Sequence, residues 1–499
     1  MVHLDVRRVT GNRGGRMRKR EFYYPAGAAG AKPMPRSVPH LLVFVPGIGG
    51  SALRAADGTL IWGLSGDMLN RPVRLAERLA GPSNGLFDPD YDDGVRPGGL
   101  MAVSIPGLTR KLGAYQSVRA MLAANFVLRE HNYAEFCYDW RRSVEFSAEL
   151  LAKEIRERLS ALRLRRPGAK VVIIAHSMGG LVARQYLQAL DGTEDCARVI
   201  THGTPFRGSV KALDYLVNGP KLGPLRFGFI AATMRRVPAL YELLPIYRTV
   251  VDRRNPMPVP AQRVVDIVEA LGLEREQVGQ VHRSREFLRA LNEPHERAQR
   301  LQPLVGYGVG TAQQAELYDG RLVVSERADL LPGEYSVSGG DGTVPALSAR
   351  PGGAKNVTVR YDNQSHMGMM TGRAPLRKLW FAVHEVLDDL LTHDPALGPR
   401  TSSGQDRGVP EHETAVYATV ADHYRADRPV VIAGRVREWA KGRPLFARLE
   451  TTGRVQEVRI AADGAFAADL GVLEEGLYDL AFADAPGEPA LLSDVIEVA

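Results

Sequence analysis

The stretch that decides the fold is residues 170–187, KVVIIAHSMGGLVARQYL. Residues 171–175 form a short apolar, β-branched run, which is typical of a strand buried on both faces. After the turn, apolar residues recur at the spacing of a helix: Leu181, Val182, Tyr186 and Leu187. The pattern predicts a strand and a helix joined by a sharp turn that carries Ser177.

The turn around Ser177 has the composition of a nucleophile elbow. Such a turn is so tight that the residues two before and two after the central serine must be small. Here they are Ala175 and Gly179, so alanine replaces the usual first glycine. The pattern favours an exposed, reactive serine. The alternative is a structural serine in an ordinary strand-to-helix turn.

Length and composition indicate a globular protein of more than one part. A chain of 499 residues predicts two domains, or one large domain with an appendage. Its 44% hydrophobic and 24% charged residues are ordinary for a protein with a substantial core.

The net charge of +7 is concentrated in residues 1–38. This segment holds nine Lys or Arg residues against Asp5 and Glu21, so the rest of the chain sums to zero. The basic charge therefore does not indicate a specific nucleic-acid groove in the body of the protein. We expect a basic, disordered tail; a tail that contacts anionic lipid or nucleic acid is the alternative.

Apolar runs such as residues 41–45 are far shorter than the ~20 residues of a membrane-spanning helix. The start of the chain also lacks the apolar core of a signal peptide, so a cytoplasmic location, peripheral to a membrane at most, is the expectation. Two cysteines cannot build a disulfide framework. Cys137 is predicted to be a buried thiol, and a single disulfide between Cys137 and Cys196 is the alternative.

Alternating strand and helix patterns predict a mostly parallel sheet. Strands are expected at residues 41–45, 171–175, 199–202, 304–310, 321–324 and 357–360, and helices at 116–126, 147–164 and 376–391. Two insertions interrupt the pattern. Residues 60–107 are rich in turn residues, and residues 206–300 have a helical, cap-like pattern that could also face lipid.

The chain changes character after residue 391. Residues 392–413 are rich in Gly, Pro, Ser and charge, which predicts a linker between a main domain at 39–391 and a second domain at 414–499. The second domain shows short alternating runs separated by turn signals. These predict a small all-β sandwich of immunoglobulin-like or transthyretin-like type.

Two further segments can complete the chemistry of Ser177. A serine needs a base, usually histidine, held by a carboxylate. Asp341 in SGGDGTVP and His366 in NQSHMGM follow Ser177 in the order acid then base, each in a loop near a predicted strand. His176 and His202 are weaker bases by position, and Asp362 is the second choice for the acid.

The Gly-rich loop at residues 46–51 follows a predicted strand and fits neither a dinucleotide nor a phosphate-binding motif. Its better use is to direct backbone N–H groups at a developing oxyanion. We predict Met178 as one donor and Gly49 as the other, with Ile48 in reserve. No metal-ligand spacing is recognisable, and this chemistry requires no metal or cofactor.

Eight segments together resemble the lecithin:cholesterol acyltransferase family of α/β-hydrolases, which also includes lysosomal phospholipase A2 and phospholipid:diacylglycerol acyltransferase. They occur in the family's order over about residues 40–390: VPGIGGSAL, IW, YDWR, AHSMGG, GTPFRGS, YELLP, GDGTVP and SHMGM. The YDWR and Gly-Thr-Pro segments make the resemblance specific.

The resemblance implies that a lipid ester acylates Ser177 and that the acyl group passes to a hydroxyl acceptor or to water. It implies that Trp62 lies in a lid, and that Asp139 and Arg141 form a structural ion pair. The disulfide of the family's extracellular lid is missing here, and the C-terminal sandwich is additional. A plain esterase or lipase without transfer, and a binding protein with an inactive hydrolase fold, are the alternatives.

Overall fold

The structure, a computed structural model, describes these residues: 35–63, 79, 81, 85–101, 114–190, 192, 194–219, 221–222, 225–226, 228–254, 260–319, 321–326, 339–353, 357–392, 415–419, 423–437, 439–440, 442–449, 452–486 and 492–498. Residues 1–34, most of the predicted tail, and the predicted linker from residue 393 onward lie outside them.

A six-stranded sheet organises the main part of the chain. In spatial order its strands are β16 (Arg360–Asp362), β13 (Leu301–Gly306), β9 (Cys196–His202), β8 (Val171–His176), β2 (Leu41–Val45) and β7 (Tyr133–Glu135). Every neighbouring pair is parallel. The predicted parallel sheet is confirmed, and the strand that leads to Ser177 lies in its interior.

Residues of one strand alternate between two hydrophobic clusters, one on each face of the sheet. Val171 and Ile173 of β8 pack into the first cluster, and Val172 and Ile174 pack into the second. Because successive side chains of a strand point to opposite faces, a strand covered on both sides must be apolar throughout. This explains the uninterrupted VVIIA run.

Helices cover both faces. The α-helices of the described residues are α1 (Ala114–Asn125), α2 (Val144–Arg163), α3 (Met178–Ala189), α4 (Val210–Asn218), α5 (Gly228–Met234), α6 (Pro238–Tyr241), α7 (Arg275–Leu291), α8 (Ala346–Ala349) and α9 (Arg373–Thr392). Short 3₁₀ helices are Gly85–Phe87, Val264–Leu271, Glu296–Arg300 and Gly368–Met370. The helices predicted at 116–126, 147–164 and 376–391 are confirmed as α1, α2 and α9. None of the described helices has the length and apolar character needed to cross a bilayer.

Smaller sheets lie in the two predicted insertions and beside them. The first joins β3 (Ser51–Arg54), β4 (Leu60–Trp62) and β5 (Arg96–Leu100), all antiparallel. The second is a hairpin of β10 (Lys221–Leu222) and β11 (Leu225–Arg226). The insertion at 206–300 therefore contains strands as well as helices.

The prediction that residues 321–324 rejoin the central sheet is wrong. They form β15 (Arg321–Ser325), which pairs with β14 (Gln314–Tyr318) in a separate sheet that includes β12 (Val250–Asp252). In β15 Leu322 is buried whereas Arg321 and Val323 are exposed. A strand with one solvated face does not belong in the interior of a parallel sheet.

Residues 36–38, at the end of the predicted tail, are held by the main part of the chain. β1 (Arg36–Ser37) pairs with β6 (Phe126–Val127), and Val38 is buried. The Arg36 guanidinium donates to Asp388 Oδ1 at 2.6 Å, and its Nη1 lies 2.9 Å from His384 Nδ1. Backbone pairing and an ion pair to α9 thus hold this segment in place.

The C-terminal region forms two further sheets. One contains β17 (Ala415–Thr419), β19 (Pro429–Arg437) and β22 (Ala465–Val472). The other contains β18 (His423–Tyr424), β24 (Leu492–Val498), β23 (Gly476–Ala483), β20 (Phe446–Leu449) and β21 (Arg454–Glu457). Both sheets contribute to one hydrophobic cluster, with Ile432 and Phe466 from the first and Leu480 and Ile496 from the second. The predicted all-β region with two packed sheets is confirmed.

A buried carboxyl group next to α2 makes stability depend on pH. Glu242 is 5% exposed, and its Oε2 accepts the Val144 N–H at 2.7 Å. Burial raises the pKa of Glu242 to about 8. Because the unfolded chain releases this proton from about pH 4.5, the free energy of unfolding falls as the pH rises from there to about 8. We expect Glu242→Gln, which cannot ionise, to remove this decline.

Urea unfolding at about pH 5 and about pH 9 measures the effect. Relative to the parent protein, the free energy of unfolding of Glu242→Gln should rise by on the order of 4 kcal/mol between the two pH values. Glu149→Gln is the matched control, since Glu149 is exposed on α2. Equal pH dependence in the parent and Glu242→Gln would contradict the prediction.

Candidate active site

Ser177 lies at the turn between β8 and α3. Its backbone angles are φ 55° and ψ −130°, and no other non-glycine residue among those described has a positive φ. This conformation is strained for a residue with a side chain. The Ser177 N–H donates to the His202 carbonyl at 2.9 Å, which fixes the turn to the neighbouring strand. Ser177 is 6% exposed.

The small residue two positions after Ser177 is required by backbone contact. A Cβ atom added to Gly179 would lie 2.4 Å from the Pro46 carbonyl oxygen and 2.6 Å from that of Val45. Ala175, two positions before Ser177, is fully buried in β8 and keeps its methyl group. The tight position is therefore the glycine after the serine, and alanine is tolerated before it.

Asp341 lies in the loop that leads into α8 and is 1% exposed. Its Oδ1 accepts the N–H groups of Thr343 and Val344 at 2.9 and 2.7 Å. Its Oδ2 lies 2.7 Å from His366 Nδ1. The backbone bonds hold one oxygen of the carboxylate and leave the other directed at the imidazole.

His366 connects the acid to the serine. Its Nε2 lies 2.9 Å from Ser177 Oγ, and its backbone N–H donates to the Asp341 carbonyl at 2.7 Å. Since Asp341 Oδ2 accepts a hydrogen bond from Nδ1–H, Nε2 is left as the acceptor for the Ser177 hydroxyl. This arrangement can remove a proton from Ser177 and stabilise the imidazolium that forms.

Two glycines make room for the Asp341–His366 pair. A Cβ on Gly203 would lie 2.7 Å from Asp341 Oδ2 and 3.1 Å from His366 Nδ1. A Cβ on Gly306, at the end of β13, would lie 2.4 Å from Asp341 Cβ. The Gly-Thr-Pro segment thus has a steric role that its sequence alone did not reveal.

The Gly-rich loop lies against Ser177 through Gly47. A Cβ added to Gly47 would lie 2.7 Å from Ser177 Cβ and 3.3 Å from Ser177 Oγ. The Gly47 N–H donates to the Tyr115 hydroxyl at 3.1 Å, and the Gly50 N–H donates to the Gly47 carbonyl at 2.9 Å. The N–H groups of Ile48 and Gly49 donate to no acceptor among the described residues. Met178, whose N–H is the other predicted donor, is buried at the first turn of α3.

Trp62 covers the far side of this loop. Its Nε1 donates to the Gly49 carbonyl at 2.9 Å, and a Cβ added to Gly49, which has a φ of +71°, would lie 3.2 Å from the indole ring. The Trp62 ring also packs edge to face on Trp140 at 5.1 Å. The structure therefore places Trp62 beside the predicted oxyanion loop.

Asp139 and Arg141 form an ion pair. Arg141 is 0% exposed, and its guanidinium lies 2.7 Å from Asp139 and 2.9 Å from Asp93. Burial alone would lower the pKa of Arg141, but the two carboxylates raise it above its usual value. Asp93 comes from the insertion at 60–107, so this pair ties the insertion to the YDWR segment.

The other candidate acids and bases lie outside the Ser177–His366–Asp341 arrangement. The Asp362 carboxylate lies 3.6 Å from Lys378 Nζ. His202 is buried, and burial lowers its pKa to about 4.

Both cysteines are free thiols, so there is no disulfide between Cys137 and Cys196. Across the described ranges, no group of three His, Cys, Asp or Glu side chains could hold a metal ion.

The comparison with known families agrees with the motifs. Residues 81–263 match the sequence profile of the lecithin:cholesterol acyltransferase family. The resemblance is confirmed over this segment. It contains Asp139, Arg141 and Ser177, whereas Asp341 and His366 lie beyond it.

One curated relative shares a short segment with the chain. The chain is 37% identical over 97 residues to the uncharacterized protein YJR098C of Saccharomyces cerevisiae. The matched segment covers 19% of this chain and 12% of the yeast protein. The chain thus spans about an eighth of that relative's length.

Two solved structures are similar at low identity. The chain is 16% identical to one in the crystal structure of the Tle4–Tli4 complex, with a TM-score of 0.48 over 71% of this chain and 99% of that one. It is 14% identical to the lipase BlEst2 of Bacillus licheniformis in its propeptide form, with a TM-score of 0.34 over 93% of this chain and 75% of that one. At these identities and TM-scores, neither structure indicates which substrate the chain acts on.

Proposed function

We propose that the chain is a serine-dependent enzyme that takes an acyl group from a lipid-type ester and passes it to a hydroxyl acceptor or to water. The observation that carries the proposal is the pair of hydrogen-bond distances at His366, 2.9 Å to Ser177 Oγ and 2.7 Å to Asp341 Oδ2. In the proposed roles Ser177 is the nucleophile, His366 the general base and acid, and Asp341 the residue that orients His366.

In the first half of the reaction, Ser177 Oγ attacks the ester carbonyl carbon while its proton moves to His366 Nε2. The carbonyl oxygen becomes an oxyanion, which accepts hydrogen bonds from backbone N–H groups. When the tetrahedral intermediate collapses, the bond to the alcohol breaks and His366 returns the proton to the leaving oxygen. The acyl group is then an ester of Ser177.

In the second half, the hydroxyl of an acceptor or of water gives its proton to His366 Nε2 and attacks the acyl-Ser177 carbonyl. Collapse of this second intermediate releases the new ester or the free acid, and Ser177 recovers its proton. Transfer and hydrolysis therefore use the same groups. They differ only in which hydroxyl reaches the acyl-enzyme.

For the oxyanion donors we propose the N–H groups of Met178 and Ile48. Gly47 is the loop residue in contact with Ser177, and the Ile48 N–H follows it directly. Gly49, the first choice by sequence, has Trp62 against its Cα instead. Ile48 is therefore better placed than Gly49, and Trp62 is proposed as a cover for the loop.

The lipid-type substrate is proposed from the family match over residues 81–263. The match includes part of the insertion at 206–300, which we propose as a cap over the site. The basic tail and this cap are proposed to make transient contact with an anionic membrane surface. The division into a tail, a domain at 39–391, a linker and a domain at 414–499 remains a prediction, as does a cytoplasmic location.

The decisive experiment supplies a phospholipid with an isotope-labelled acyl chain, together with a panel of alcohols, and follows the label by mass spectrometry. A labelled ester of one alcohol, formed only with Ser177 intact, is the result expected of a transferase. Labelled free fatty acid with every alcohol indicates a lipase. Folded protein that neither consumes the lipid nor reacts with a fluorophosphonate at Ser177 would overturn the proposal and favour a binding protein.

A further inference from the structure

A chain of hydrogen bonds runs behind Ser177 and joins the two loops that flank it. The Gly47 N–H lies 3.1 Å from the Tyr115 hydroxyl, which lies 3.0 Å from His176 Nδ1. His176 Nε2 lies 3.1 Å from the His366 carbonyl oxygen. We call Tyr115 and His176 the bridge. One end of the bridge is the Gly-rich loop, and the other is the backbone of the histidine bonded to Ser177.

The direction of each bond in the bridge follows from its ends. A carbonyl oxygen only accepts, so His176 Nε2 is protonated and donates a hydrogen bond to the His366 carbonyl oxygen. Burial, and then the charge of nearby His366, hold the pKa of His176 well below its usual value, so its Nδ1 is an acceptor. The Tyr115 hydroxyl donates to this nitrogen and accepts the Gly47 N–H. Each hydrogen bond of the bridge thus has one donor and one acceptor, and the Tyr115 hydroxyl takes part in two of them.

Packing fixes the bridge in place. Tyr115 is 4% exposed and His176 is 1% exposed. The Tyr115 ring contacts Phe44 edge to face at 5.2 Å, and a Cβ added to Gly50 would lie 2.9 Å from that ring. The rings of His176 and His366 are 4.6 Å apart. A buried, fully bonded network of this kind holds a single geometry.

We propose that Tyr115 and His176 are positioning residues that set the separation between the Gly-rich loop and His366. The bridge bonds the backbone of both loops and does not bond the side chains of Ser177, Asp341 or His366. It therefore acts on the positions of the Gly-rich loop and of His366, and not on the proton transfer between Ser177 and His366. This inference rests on the proposed function, because it concerns the geometry of that same reaction.

The reason such a bridge matters is that two groups from distant parts of the chain must serve one transition state. One proposed oxyanion donor, the Ile48 N–H, comes from the loop after β2, and the base comes from the loop after β16. A misplacement of about 1 Å between reacting groups can lower a rate by ~10²-fold.

The test uses Tyr115→Phe in the full-length chain, which removes the hydroxyl and keeps the packed ring. We expect kcat on a short-chain ester to fall by ~10- to 100-fold, with KM changed by less than about threefold. The rate of Ser177 labelling by a small fluorophosphonate should fall by a similar factor, because labelling needs the same geometry but no cap or acceptor. Tyr478→Phe is the control, since its hydroxyl donates to the Glu474 carbonyl at 2.9 Å in the C-terminal sheets. It should leave both rates unchanged.

Variants of His176 separate the two halves of the bridge. His176→Gln can still donate an amide N–H towards the His366 carbonyl, and we expect it to keep more activity than His176→Ala. In a double-mutant cycle, adding Tyr115→Phe to His176→Ala should cost less than Tyr115→Phe costs alone, because the link is already broken.

Two outcomes would contradict the proposed positioning role of Tyr115 and His176. One is a Tyr115→Phe protein with the parent's kcat and labelling rate. The other is a Tyr115→Phe protein of lower thermal stability whose kcat per folded molecule is unchanged, which would leave Tyr115 a purely structural residue. Failure of the proposed function looks different: the parent protein itself would show no Ser177-dependent turnover or labelling.

Discussion

Replacing Ser177 with alanine is expected to lower ester turnover by at least ~10⁴-fold and to abolish labelling by a fluorophosphonate. Ser177 Oγ is the atom that lies 2.9 Å from His366 Nε2, so its removal leaves the base with no hydroxyl to activate. Turnover of a short-chain ester, followed by release of its alcohol, measures the first effect. Intact-mass analysis after incubation with the probe measures the second.

The fold should survive this change. Alanine at a φ of 55° is no more strained than serine, and the Ser177 side chain is small and nearly buried. Ser160→Ala, at an exposed position of α2, is the control and should match the parent in both assays. If Ser177→Ala retained the parent's turnover while folded, Ser177 could not be the nucleophile.

Asp341→Asn is expected to lower kcat by ~10³- to 10⁴-fold without a large change in KM. The amide oxygen can replace Oδ1 as the acceptor for the Thr343 and Val344 N–H groups. The amide nitrogen then faces His366 Nδ1, as Oδ2 does at 2.7 Å in the parent, but as a donor. His366 would respond by carrying its proton on Nε2, where it can no longer accept the proton of Ser177.

The matched control for Asp341→Asn is Asp362→Asn, which changes the second-choice acid in the same way. Asp362 pairs with Lys378 and not with His366, so its loss should affect stability more than turnover per folded molecule. Steady-state kinetics on both variants, with the folded fraction measured by circular dichroism, gives the comparison. A larger loss of kcat in Asp362→Asn than in Asp341→Asn would show that the assignment of Asp341 as the acid is wrong.

Much of the fold could be predicted because it depends on local patterns. The unbroken apolar run of β8 reflects burial on both faces of the sheet, and the predicted helix at 147–164 is confirmed as α2. The placement of β15 could not be predicted in the same way. Its short apolar run is compatible with any sheet, and only its pairing with β14 excludes it from the central one.

The same division applies to the candidate site. Ser177, Asp341 and His366 were predicted from a turn motif and from chain order, and the structure brings their side chains within hydrogen-bond distance. Tyr115 was missed because nothing in its neighbourhood marks a functional residue. His176 was judged only as a rival base. Its position directly before the serine was the one available signal that it lies behind the site.

The glycines around Ser177 have a practical consequence for protein engineering. Four of these glycines have no room for a Cβ: Gly47, Gly179, Gly203 and Gly306. The space is filled by the backbone of a neighbouring segment, by Ser177 or by Asp341. A randomised library that includes these four positions would consist mostly of inactive clones, whatever selection is applied. Substitutions meant to change substrate preference are better placed in the insertions at 60–107 and 206–300. In the proposed arrangement these segments cover the site, so their side chains would contact the substrate.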